Sequence, residues 1–262
     1  MLGSLTIALL YAAASLAQAP VPIAIGETFT LHSKALGEDR RINVYVPPSW
    51  DEPEGARRPV LYMPDGGIRE DFLHIAGLLQ VSVGNGSMRP FILVGIENTE
   101  RRRDMTGPTD VAEDRTIAPR VGGSAAFRQF IRDELIPEID SRYATTRERA
   151  IVGESLAGLF VVETLLMEPA MFDTYIAFDP SMWWNGSALV AGGAARLASP
   201  ASKDRRLYLA ASSNGDRGDA IQRFATVLKT QSNVAWTYDV MADETHATIY
   251  HPAALRAFRA LF

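Results

Sequence analysis

The chain has 262 residues, a formal net charge of −5, four histidines and no cysteine. Without cysteine no disulfide can staple the fold, and the histidines at 32, 74, 246 and 251 are spaced like no common ligand set, so no metal site is expected. The acidic balance argues against nucleic acid, because phosphate binding needs clustered Lys and Arg and the only basic run lies in one loop.

In chain order, residues 1–19, "MLGSLTIALLYAAASLAQA", form an apolar run ending in Ala17-Gln18-Ala19, the small-x-small pattern read by signal peptidase. Residues 1–19 are therefore expected to be a signal peptide and 20–262 a single α/β domain, exported to the periplasm or secreted, with no stable membrane insertion after cleavage. No Lys or Arg precedes the apolar run, so an uncleaved N-terminal anchor is the alternative. β-branched and aromatic runs at 28–33, 41–48, 59–66, 91–97, 149–154, 174–181, 206–212 and 236–241 read as strands. Helical patterns fall near 69–82, 124–137, 156–168, 186–198 and 219–231, with a last one from Pro252 to the end. Antiparallel N-terminal strands followed by alternating strands and helices predict a mostly parallel central sheet covered by helices on both faces. In such a sheet ligands bind outside the carboxyl ends of the strands.

That expectation singles out "RERAIVGESLAGLF". A strand runs straight into Ser155 and a helix straight out of it, the setting of a nucleophile elbow, with small residues at Gly153 and Ala157 for close approach. "GGSAA" at 122–126 has a similar spelling but follows a polar loop, so Ser124 reads as a helix N-cap. A serine hydroxyl needs a base oriented by an acid, and in this strand order both partners follow the serine. Downstream histidines are His246, in the loop after the last strand, and His251, which precedes Pro252 at a helix entry; His246 is the expected base. For the acid, "SSNGDRGDAIQRF" offers Asp216, because Asp219 has a capping role with Gln222 available to it. Glu244 and a serine–histidine dyad remain open alternatives. The amide of Leu156 and that of Gly67, in the "DGG" loop after the third strand, are the expected oxyanion donors.

Five segments, "PVLYMPDGG", "GIENTERRRDMTGP", "GESLAGLF", "FDPSMWWN" and "ETHATIYHPA", occur in the same order as in the putative-esterase group of α/β hydrolases, which the chain resembles over roughly residues 40–258. The group includes trilactone siderophore esterases, feruloyl esterases, S-formylglutathione hydrolases and mycolyltransferases. The resemblance implies an α/β-hydrolase fold, no cofactor, and hydrolysis of a small-molecule ester through an acyl-enzyme. It points to Ser155 and His246, to Gly67 and Leu156 as oxyanion donors, and less firmly to Asp216; "ENTERRRD" and "DPSMWWN" look most like the siderophore-esterase branch. Trp183 and Trp184 are candidates to stack on an aromatic acyl group, and Arg101 in the basic run to meet an anionic one. Acyl transfer, and a silent binding protein on the same fold, are the competing functions. Sequence leaves the oligomeric state open.

Overall fold

The computed structural model describes residues 20–262 except 49–51, 54, 216–218 and 232. The expected signal peptide and Asp216 lie outside the described residues. Eight strands form one sheet in the order β1-β2-β4-β3-β5-β6-β7-β8. They are β1 (Glu27–Ser33), β2 (Glu38–Tyr45), β3 (Arg58–Pro64), β4 (Ile92–Ile96), β5 (Thr145–Glu154), β6 (Thr174–Phe178), β7 (Arg206–Ser212) and β8 (Ala235–Met241). β2 runs antiparallel to both β1 and β4, and every pairing from β4 through β8 is parallel. Each of the eight expected strands is present.

Strand alternation splits the core into two layers. On β3, Val60 and Tyr62 pack to one side and Leu61 and Met63 to the other; on β6, Tyr175 and Ala177 oppose Ile176 and Phe178. Helices α1 (Phe72–Gly84) and α8 (Tyr250–Leu261) cover the face of Leu61 and Phe178. The opposite face is covered by α3 (Ser124–Phe130), α4 (Ile136–Arg142), α5 (Ser155–Met167), α6 (Trp184–Leu197) and α7 (Ala220–Gln231), α2 being the short Arg101–Asp104. Helix α5 is buried from Leu156 through Leu166, which is why its sequence is apolar all round rather than on one stripe.

Two elements differ from expectation. The helix beginning at Ser124 continues to Arg142 rather than ending near 137, by way of a wide π turn over Ile131–Leu135. That turn leaves Pro137 in the first turn of α4, where a missing N–H breaks no helical bond. The polar stretch 98–123 contains α2 and a 3-10 turn over Asp114–Thr116, elements too short to carry a periodic signal. Its anchor is long-range: the fully buried Arg40 of β2 bonds the buried Asp104 at 2.6 Å and the carbonyl of Glu97 at 3.1 Å.

Candidate active site

Ser155 sits where β5 becomes α5, with φ of 58°, a left-handed value that a non-glycine residue adopts at a cost. The turn is tight because Gly153 has no side chain: a Cβ there would lie 2.6 Å from the carbonyl carbon of Ala157 and 2.7 Å from its Cβ. Gly158 lets the same helix approach the end of β6, since its Cβ would meet the Phe178 carbonyl oxygen and the Pro180 Cα at 3.1 Å. The Ser181 amide then donates to the Ser155 carbonyl at 3.0 Å, tying the chain after β6 to the elbow.

His246 comes from the loop between β8 and α8, and its amide donates to the side-chain oxygen of Asn214 at 2.8 Å. Its half-exposed ring places Nε2 3.1 Å from Ser155 Oγ and Nδ1 3.2 Å from Asp179 Oδ2. Asp179 is the carboxylate at Nδ1, and it stands at the end of β6, next in the sheet to β5. Asp216, the acid expected from seeking it after β7, lies outside the described residues. The described part of the loop after β7 holds Asp179. The Ser212 amide donates to Oδ1 at 2.6 Å and the Ser212 hydroxyl to Oδ2. Gly215 passes so close that a Cβ would lie 2.1 Å from the Asp179 carboxyl carbon. Fully buried, with φ of 39°, Asp179 is fixed on every side. The available signal was "TYIAFDPS", an apolar strand running directly into an aspartate. Of the alternatives, Glu244 is engaged through its carbonyl, which accepts from the Ser213 amide and hydroxyl. His251 stacks on His74 at 4.9 Å, away from the serine.

The two expected oxyanion donors fare differently. Leu156 is the second residue of α5, so its amide has no intrahelical acceptor and lies beside the nucleophile. The Gly67 amide is engaged in this structure: it donates to Glu70 Oε2 at 2.7 Å. The cause is the tight turn in which the Glu70 amide bonds the Gly67 carbonyl at 2.9 Å, folding the carboxylate back over the glycine. Ser124 also departs from expectation. It is the first residue of α3 with Gly123 at the cap, and its buried hydroxyl has no partner among the described residues.

Arg101 approaches the site but is committed to Asp65, with bonds of 2.7 and 2.8 Å from Nε and Nη2. Asp65, at φ of 58°, closes β3 beside the DGG loop and also accepts from Asn98. Arg103 is likewise paired, with Glu38 and Asp104. Trp184 is buried, and its Nε1 donates to the Gly107 carbonyl at 2.9 Å. Trp183 is half-buried against the same core, in edge contact with Trp184 at 6.1 Å. Trp184 also lines a cavity of about 200 Å³ with Pro108, Leu159, Met167 and Leu189, beginning one turn along α5 from Ser155. Burial pushes the carboxyl of Glu154 up to about 7 against the opposing pull of His246 and Arg101, with Asp179 and Asp65 adding to the rise. Burial, and then Asp65, also hold Asp71 up at about 6. No cluster suited to a metal ion occurs among the described residues.

A serine on a strained elbow, a histidine in reach of its hydroxyl and a buried carboxylate behind the histidine, all at the carboxyl edge of this sheet, define the serine-hydrolase class of α/β fold. The chain belongs to the family described as Putative esterase, whose model matches residues 33–256. It is 34% identical over 165 residues to the ferri-bacillibactin esterase BesA of Bacillus subtilis, covering 56% of each chain. To the siderophore triacetylfusarinine C esterase of Aspergillus fumigatus it is 30% identical over 190 residues, 65% of this chain and 61% of that protein. The match thus spans about three fifths of these relatives' own length. An IroE-like serine hydrolase from Shewanella oneidensis superposes with a TM-score of 0.79 at 26% identity, over 90% of this chain and 80% of that one.

Proposed function

We propose that this chain is an exported serine esterase that cleaves siderophore-type esters through an acyl-enzyme on Ser155. The observation that carries the reading is His246, with Nε2 3.1 Å from Ser155 Oγ and Nδ1 3.2 Å from Asp179. In the neutral tautomer that donates Nδ1–H to Asp179, Nε2 accepts the hydroxyl proton as Oγ attacks the ester carbon. Asp179 then stabilises the imidazolium, which returns the proton to the departing alkoxide. Water repeats the sequence in reverse to release the acid. The Leu156 amide, at the positive end of α5, is placed to stabilise the tetrahedral oxyanion, and Gly67 can join it only after Glu70 releases its amide.

Siderophore esters are favoured over other substrates by the siderophore esterase activities for which the two relatives above are named and by the "ENTERRRD" and "DPSMWWN" segments. Export rests on the N-terminal stretch ending at Ala19. Turnover of a panel of short p-nitrophenyl acyl esters, a feruloyl ester and a catecholate trilactone tests the reading. The trilactone is expected to give the highest kcat/KM, with free acid as the product. Transfer of the acyl group to an added alcohol in preference to water would establish the acyltransferase alternative, and no turnover of any ester would support the silent binding protein.

A further inference from the structure

Glu154, the last residue of β5, stands between the elbow glycine and the nucleophile in "GES", and the mechanism above gives it no part. Its side chain reaches the nitrogen that faces the serine: Oε1 lies 3.2 Å from His246 Nε2. That oxygen is buried and has no hydrogen-bond partner among the described residues, Nε2 being directed at Ser155 Oγ. The charged groups facing it are Arg101, from α2 and already paired with Asp65, Asp65 itself, Asp179 at the end of β6, and His246. Two carboxylates and one committed guanidinium leave an anionic Glu154 poorly compensated unless His246 is protonated. Protonation of Glu154 removes that charge from beside Nε2, which itself stays directed at Ser155 Oγ.

Given the serine-esterase reading, we propose that Glu154 is a positioning residue whose carboxylate, beside His246 Nε2 but not bonded to it, stabilises the imidazolium, and that ionisation of Glu154 raises the activity of the enzyme. The elevated carboxyl of Glu154, near 7, sets that ionisation close to neutrality. With the proton gone, the Glu154 carboxylate beside Nε2 favours the imidazolium that forms as Oγ bonds to the ester carbon. The same carboxylate therefore raises the proton affinity of Nε2. Removing its charge lowers that affinity, so the acid limb of kcat/KM moves to lower pH.

The test is the pH profile of kcat/KM on a short p-nitrophenyl ester for the wild-type chain, Glu154→Gln and Glu154→Asp. Glu154→Gln is expected to shift the acid limb down by about one pH unit, and Glu154→Asp, which keeps the charge but withdraws it, by less. NMR titration of the wild-type protein, labelled at histidine rings and glutamate carboxyls, needs neither a variant nor a substrate. Coupled titration is expected, with the His246 ring and the Glu154 carboxyl each responding to both proton losses. Independent titration of the two groups, or an unmoved limb in an active Glu154→Gln enzyme, would overturn the proposal. Coupled titration in a wild-type protein that turns over no ester would sink the esterase reading and leave the pair standing.

Discussion

Replacing Asp179 by Asn changes one atom in a site where every neighbour is fixed. Oδ1 receives the Ser212 amide at 2.6 Å, so the asparagine oxygen is held there and its NH₂ is turned toward His246 Nδ1, 3.2 Å from the present Oδ2. Two donors then face each other unless the imidazole changes tautomer, placing its hydrogen on Nε2 and leaving no base for Ser155. A tautomer error of this kind lowers kcat by roughly 10⁴, equivalent to about 5.5 kcal/mol of lost transition-state stabilisation. Asparagine tolerates a φ of 39° well, so the fold should survive, with a thermal transition within a few degrees of the parent. The assay is kcat on a p-nitrophenyl acyl ester, with circular dichroism as the folding control and Asp216→Asn as the comparison. If Asp216→Asn loses the activity and Asp179→Asn keeps it, the assignment of the acid is wrong.

Gly153→Ala should destabilise by roughly 1 to 3 kcal/mol in urea unfolding and lower kcat with it, because the added methyl meets backbone of Ala157 that cannot retreat without moving Ser155. Arg40→Leu should cost about 3 kcal/mol by the same measurement, since the buried Asp104 would keep Arg103 on Oδ1 but lose the cation on Oδ2. Hydrogen bonding from Arg103 holds the Glu38 carboxyl down at about 2, so its contribution is complete above its unfolded value near 4.5 and disappears as pH falls through 2. Glu38→Gln should accordingly flatten the stability profile in that acid window and leave the neutral region sloped as before, as read by thermal melts against pH. Trp184→Phe should lose about 1 kcal/mol with the bond to Gly107 and leave the ratio of aromatic to acetyl ester kcat/KM unchanged. A selective fall in the aromatic ester would place its indole in contact with substrate.

The strands were legible because a sheet buried on both faces writes continuous apolar runs, and Ser155 because one such run ends in a small-residue turn before a helix. His246 followed from chain order. Asp179 did not, because the order Ser, acid, His is satisfied by the end of either β6 or β7, and the packing of Ser212 and Gly215 around the Asp179 carboxylate is long-range geometry that no local pattern spells. Trp184 looked like a stacking residue since nothing in "PSMWWN" tells which indole turns inward to the Gly107 carbonyl. The basic run offered Arg101 to an anionic substrate, yet its outer members, Arg101 and Arg103, bind Asp65 and Glu38, partners 36 and 65 residues away in sequence. Gly67 was chosen because a glycine leaves its amide open, and the carboxylate that closes it belongs to a turn geometry that the sequence does not spell.

The central claim is that Ser155 is the acylated nucleophile. Peptide mapping after reaction with a fluorophosphonate, run beside kcat for Ser155→Ala, measures this directly. The expected result is a single adduct on Ser155 and a loss of roughly 10⁴ to 10⁶ in kcat for the variant. An adduct on another serine, or a purified and folded Ser155→Ala protein that still turns over ester, would contradict the account.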